Sequence, residues 1–317
     1  MKKLTTLLFV SQNPAEEQAL FDWTLALAQR QQAQLILLNV LPQVDAGLVG
    51  WVKNLLPADI MAKQTEAVLQ AWQPWAMQAN QAGVVISTRV EFGRLFYKTI
   101  QTALKDQVDW VIKQTDKENK SLTEHIFGSQ DMHLLRKCPC PVLLHKNGSS
   151  LPFQNIMASI DVDIEAESLT HNDLTQSILA FAQTLAQSQN ANLHIAHAWQ
   201  AEAENLVRYW NSDISEVDVV KFTEKVRQQH KSAVEYEIQP CRDVLPNLQV
   251  HLAKGRAEEA IPELVKYHSI DLLVMGTVGR GGIPGLVIGN TAETLLEHVN
   301  CSVLAIKPKG FVSPITL

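Results

Sequence analysis

The chain lacks the features that would make several function classes easy to assign. It has no basic excess: 27 Lys and Arg stand against 33 Asp and Glu, a formal net charge of −6. A nucleic-acid binder normally carries a basic footprint, so no nucleic-acid partner is expected. No run approaches the ~18 apolar residues that a membrane helix needs, so no membrane partner is expected. Lys2 and Lys3 ahead of an apolar run superficially resemble a secretory leader. Thr5 and Thr6 interrupt that run, however, and Glu16, Glu17 and Asp22 follow at once. A first β-strand and a cytoplasmic location are the expectation. Cysteine is scarce: Cys138, Cys140, Cys241 and Cys301. Cys138-Pro139-Cys140 is too tight for a comfortable disulfide and has no second pair for zinc. These cysteines read as small buried residues in a reducing compartment.

Familiar catalytic and cofactor motifs are missing too. There is no Gly-Lys-Ser/Thr, which excludes a Walker loop, and no glycine fingerprint after the first strand, which excludes a standard dinucleotide site. The Ser-Gly-Gly-x-Asp-Ser loop of ATP pyrophosphatases, a nucleophile elbow and a convincing carboxylate pair are all absent, so no catalytic residue is assigned. The ten histidines show no metal-ligand spacing. His194 and His197 lie three apart on a predicted strand and so point to opposite faces. No metal site is expected from them.

What the chain does contain is a repeat. Gly128-Ser129, Leu134-Leu135, Cys140, Val142-Leu143 and Lys146 read against Gly289-Asn290, Leu295-Leu296, Cys301, Val303-Leu304 and Lys307, each pair 161 residues apart. Upstream, Gly93-Arg94 matches Gly255-Arg256 and Asp109 matches Asp271 at a spacing of 162. Ordered blocks at one offset mean duplication. With 317 residues, two domains is also what length suggests. Residues 1–147 and 152–317 are the expected domains, joined by a turn-rich stretch with Asn147-Gly148-Ser149-Ser150 and Pro152. Their charges differ. Residues 1–150 hold 15 Lys and Arg against 13 Asp and Glu, whereas residues 151–317 hold 12 against 20.

Each copy alternates short apolar strands with helices. In the first, strands are predicted at 4–10, 35–41, 84–90, 109–113 and 142–145, with one long helix over 58–79. In the second they fall at 156–160, 193–198, 248–253, 271–275 and 303–306. Leu174, Ile178, Phe181 and Leu185 form a helical stripe. Nearly continuous apolar strands separated by helices indicate parallel sheets covered on both faces. The expected fold is α/β: two tandem, doubly wound, five-stranded parallel-sheet domains.

One motif carries chemistry. Gly276, Gly279 and Gly289 give a G-x2-G-x9-G spacing between a strand end and the helix that Asn290-Thr291 opens. Ligands of open α/β sheets bind at this level. Glycines let backbone N–H groups approach phosphate, the helix start adds free donors, and Arg280 adds a charge. From loop chemistry alone a second reading stays open: turn glycines, with Asn290-x-x-Glu293 as a capping-box variant.

The stretch Gly276-Thr277-Val278-Gly279-Arg280-Gly281-Gly282, then Gly289-Asn290-Thr291-Ala292-Glu293 and residues 301–307, resembles the universal stress protein family. His133 through Pro139 resembles its tandem-domain, UspE-type members in particular. The resemblance spans essentially the whole chain. It implies ATP, or a related adenine nucleotide, in the second domain. Asp161 falls on the family's acidic position near the nucleoside, and Ala198 where the backbone meets the adenine. Met275, Gly276, Gly279, Arg280, Gly289, Asn290 and Thr291 fall on the strand end and phosphate loop. The family usually has Ser or Thr directly after the last glycine, and here Asn290 stands there. The acidic second half suggests that a nucleotide arrives neutralised by Mg²⁺. The resemblance also implies an internal pseudo-dimer through the last strands of the two copies, with a homodimer of chains as a further association.

The first copy departs further. Gln114 and Lys117 replace Gly276 and Gly279, Asp116 and Glu118 would repel phosphate, and Ser11 or Gln12 replaces Asp161. It is not expected to bind ATP in the family manner. Its apolar run 46–52, with Leu55, Leu56, Trp72 and Trp75, reads as core or, alternatively, as a pocket for an apolar small molecule. The leading reading is a non-enzymatic nucleotide-binding stress-response protein. A slow ATPase, using Asp161 or Glu293, is the alternative.

Overall fold

Strands form where the sequence places its short apolar runs, and in the computed structural model nearly every one is buried on both faces. The structure describes residues 3–43, 57–115, 127–164, 171–201, 215–245, 247–277 and 288–317. It divides into two compact units: Lys2–Pro152 together with Phe311–Leu317, and Phe153–Gly310.

The first unit runs β1 (Thr6–Val10), α1 (Pro14–Gln31), β2 (Gln34–Leu41), α2 (Pro57–Ala71), α3 (Gln73–Gln81), β3 (Ile86–Phe92), α4 (Leu95–Lys105), β4 (Trp110–Gln114), α5 (Ser129–Lys137) and β5 (Val142–His145). Its strands are parallel in the order β3-β2-β1-β4-β5. The long helix predicted over 58–79 is two helices. Pro74 lacks the N–H that would bond back one turn, so the helix breaks at Trp72 and restarts with proline in its first turn. Trp72 and Trp75 are 0% and 2% exposed. Trp75 stacks on Phe21 at 4.4 Å and meets Phe9 edge-on at 5.6 Å, which makes both tryptophans core. The apolar run 46–52, with Leu55 and Leu56, lies outside the described residues.

The second unit runs β6 (Asn155–Ser159), α6 (Asp173–Gln189), β7 (Asn192–Trp199), α7 (Glu216–Arg242), β8 (Gln249–Lys254), α8 (Ala257–Tyr267), β9 (Leu272–Gly276), α9 (Asn290–His298) and β10 (Ser302–Ile306). Its parallel order is β10-β9-β6-β7-β8. The two units are therefore the same doubly wound α/β fold repeated.

Duplication extends to single backbone torsions and side-chain roles. Gly93 and Gly255, at the end of the third strand of each unit, have φ of 138° and 143°, values that only glycine adopts without strain. Gln32 and Asn190, which end the first long helix of each unit, sit at φ of 55° and 54°. Asp109 Oδ2 accepts from the backbone N–H of Thr5 and Thr6 at 2.7 and 3.1 Å. Asp271 Oδ2 accepts from those of Gln154 and Asn155, both at 2.8 Å. Each aspartate thus pins the start of the central strand to the turn before its neighbour. No helix among the described residues is long and apolar enough to cross a membrane. The four cysteines are free thiols. Cys138 and Cys140 Sγ lie 3.6 Å apart, and the thiol hydrogen bond between them, with burial, holds the Cys140 thiol well above its ordinary pKa.

Candidate functional site

In an open parallel sheet, the strand order reverses at one place, and the two flanking connections leave on opposite faces. The crevice outside the carboxyl ends there is the favoured ligand position. In the second unit this switch point lies between β6 and β9, which pair with Ser159 beside Met275. Most of the sequence-predicted residues stand around it. Met275 is buried and Gly276 half-buried at the end of β9. Asp161 is exposed two residues beyond β6, and its carbonyl accepts from the Thr175 hydroxyl at 2.9 Å. Ala198 is half-buried one strand over, on β7, beside Ala253. Gly289 is the N-cap of α9, and Asn290 and Thr291 are exposed in its first turn. Gly279 and Arg280 lie outside the described residues.

Backbone bonds join the two ends of the loop. Gly289 N–H donates to the Thr277 carbonyl at 2.9 Å, and Thr277 N–H to the Ile306 carbonyl at 3.3 Å. The start of α9 is therefore held directly above the end of β9. The N-cap, Gly289, has no side chain with which to cap α9, and the positive end of the helix dipole lies at the end of β9. Lys307 adds positive charge: it is 8% exposed and its Nζ donates to Thr277 Oγ1 at 2.5 Å. Gly276 has a packing reason of its own, since a Cβ there would meet Leu174 Cδ2 at 2.9 Å. A cleft of about 350 Å³ opens between Ile164 and the α7 residues Lys225, Gln228, Gln229, Ser232 and Ala233. That volume falls within the range of small-ligand sites. A larger cleft, about 440 Å³, involves Gln32, Gln34 and Val85 at the amino ends of the first unit's strands, away from its switch point.

The same place in the first unit is occupied from within. Ser11 N–H donates to the Leu38 carbonyl as Ile160 N–H does to Ala196, so Gln12 is the counterpart of Asp161. Buried Glu17 takes the N–H groups of Gln12 and Asn13, at 3.0 and 3.2 Å. The Trp72 indole donates to Ser11 Oγ at 3.3 Å. Where the second unit has Met275 and Ala292, the first has Lys113 and Asp131, which pair at 3.0 Å with side chains only 1% and 0% exposed. Gln114, in the place of Gly276, donates to the Glu16 carbonyl at 3.3 Å.

A sequence profile described as the universal stress protein family matches residues 4–146 and again 156–307. The chain belongs to the universal stress protein family. Universal stress protein E of Escherichia coli (strain K12) is 30% identical over 270 residues, 83% of either chain. The Universal stress protein E homolog of Haemophilus influenzae is 31% identical over 201 residues, 63% of this chain and 62% of its own. Among solved structures, a functionally unknown protein of Pseudomonas aeruginosa PAO1 superposes with a TM-score of 0.70 at 24% identity, covering 96% of this chain and 93% of its own. A universal stress protein of Archaeoglobus fulgidus gives 0.63 at 13%, covering 97% and 99%. These two likenesses concern the fold alone.

Sequence spacing missed two features of the second universal stress protein domain. The first is the Lys307–Thr277 contact. In the sequence Lys307 is visible as a repeat position and as the end of the family-like stretch 301–307, and nothing in the chain order places it against Thr277. The second concerns histidine. His194 and His197 do face opposite sides of β7, as their spacing predicts, and each finds other histidines. His197 Nδ1 lies 3.1 Å from the Ile160 carbonyl, and its Nε2 lies 2.9 Å from His230 Nδ1. His194 meets His251 and His268. Burial lowers the His194 pKa. Burial, then the neighbouring His268 and His194, lowers that of His251 to about 4. Both rings are therefore neutral near pH 7.

Proposed function

We propose that this universal stress protein binds an adenine nucleotide at the β6/β9 switch point of its second domain, and that it acts in the stress response by binding rather than by turnover. The observation that carries the reading is the glycine-capped start of α9, held over the end of β9 beside buried Lys307. A helix N-terminus with its dipole and a lysine converge where a polyphosphate would sit. Asp161 suits the nucleoside, and by sequence Gly279 and Arg280 belong to the same glycine motif. Asp161 and Glu293 are weak candidates for positioning an attacking water, which favours binding over turnover. Mg²⁺ would offset the acidic character of this half.

In the first domain, Glu17, Trp72 and the Lys113–Asp131 pair fill the corresponding place, so no second nucleotide is expected there. ATP titration by calorimetry, with and without Mg²⁺, tests the reading. One site per chain, lost in Gly279→Lys, is the expected result. Two sites of similar affinity, or none, would overturn it.

A further inference from the structure

Among the described residues, one group of three potential metal ligands converges: His194, His251 and His268, each with a ring nitrogen within 4.8 Å of the others. The fold explains the convergence. On β7 and β8, His194 lies beside Gln249 and Ala196 beside His251, so the two histidines are diagonal neighbours on one face of the sheet. Helix α8 packs on that face, and His268 caps its C-terminus. The three rings therefore come from a central strand, an edge strand and a helix end. In sequence they lie 57 and 17 residues apart, which no local ligand spacing would reveal.

The geometry is that of a three-imidazole face. Ring centroids are 4.2–5.2 Å apart, and His194 Nδ1 lies 3.0 Å from His251 Nε2. Two nitrogens bound at about 2.0–2.1 Å to one tetrahedral ion stand about 3.3–3.4 Å apart, so modest ring rotation brings the three to coordinating distance. His194 is 3% exposed, while His251 and His268 are half-buried. The group is thus anchored in the core on one side and reachable by solvent on the other.

We propose that His194, His251 and His268 bind one divalent transition-metal ion of the zinc class, with a fourth position left for water or an external ligand. Imidazole nitrogen favours zinc, cobalt, nickel or copper over calcium and magnesium, which take oxygen ligands. The site uses neither the α9 loop nor Asp161, so it stands whether or not the nucleotide reading does.

The full-length protein, stripped with chelator and titrated with Co²⁺ and then Zn²⁺, tests this. The expected result is one Co²⁺ per chain with the visible absorption of a nitrogen-ligated tetrahedral ion, displaced by Zn²⁺. His268→Ala, at a half-buried helix end, and His251→Asn should each weaken uptake at least tenfold while the circular dichroism spectrum stays unchanged. Absence of stoichiometric Co²⁺ binding would overturn the proposal. So would a thiolate charge-transfer spectrum unaffected by His268→Ala, which would put the ion on cysteine, or full-affinity binding in both histidine variants.

Discussion

The carboxyl ends of β4 and β9 show how a duplicated domain diverges. Directly after each strand comes a threonine whose N–H is bonded to the neighbouring last strand, Thr115 to His145 and Thr277 to Ile306, and each is followed by a helix with a glycine N-cap. What differs is what fills the crevice. In the first domain, two buried charges neutralise each other and a glutamate closes the adjoining turn. In the second, Met275 and Ala292 stand in place of the ion pair and Gly276 in place of Gln114. At this place the first domain therefore has internal partners: the Lys113–Asp131 pair and the Glu17 contacts to Gln12 and Asn13.

The largest test of that contrast is the Lys113–Asp131 pair. Removing one partner strands a buried charge, so Lys113→Ala or Asp131→Ala should cost about 3–5 kcal/mol. Installing the second domain's residues at both places, Lys113→Met with Asp131→Ala, should recover most of that loss. Urea unfolding followed by tryptophan fluorescence reads both, and an unchanged midpoint in the single variants would break the comparison.

A second test is pH. Burial lowers the His145 pKa from 6.5 to about 4, whereas its counterpart is Ile306. The unfolded chain binds the proton first. The contribution to stability is therefore complete above about pH 6.5 and lost as pH falls toward 4, by at most about 3 kcal/mol. His145→Ile should flatten that part of the stability-versus-pH curve.

Smaller effects sharpen the picture. Gly276→Ala presses on Leu174 and should cost about 1–3 kcal/mol, relieved in part by Leu174→Ala. Gln114→Ala, at the matching place, should be nearly silent. Asn172 caps α6 by accepting from Leu174 and Thr175 N–H, so Asn172→Ala should cost about 1 kcal/mol. Asn13 makes no such cap on α1, and Asn13→Ala should cost little by comparison. Thermal denaturation of the paired variants checks each.

The architecture was legible because it rests on local pattern. Apolar runs marked the strands to within a residue or two, and the repeat at 161–162 residues revealed the duplication. The break at Trp72 was legible in principle from Pro74, but the apolar stripe runs through it. Gly276, Gly289 and Asn290 could be singled out as candidates because a loop between strand end and helix start is contiguous in sequence. Lys307, Leu174 and the three histidines were not, because they meet only after the sheet order is set. Gly276 illustrates the difference: its place in the motif is read from spacing, while its close approach to Leu174 is visible only in the fold.

The aspartates before β4 and β9 have a consequence for how the chain is made. Asp109 and Asp271 reach back 103–104 and 116–117 residues to fasten the opening strand of their own domain. In a nascent first domain β1 can pair with β2 once Gln34–Leu41 has emerged, but the turn ahead of β1 stays unlatched until Asp109 follows. Each domain thus locks late and from its far end, and truncation just before either aspartate leaves a domain with most of its residues and no latch.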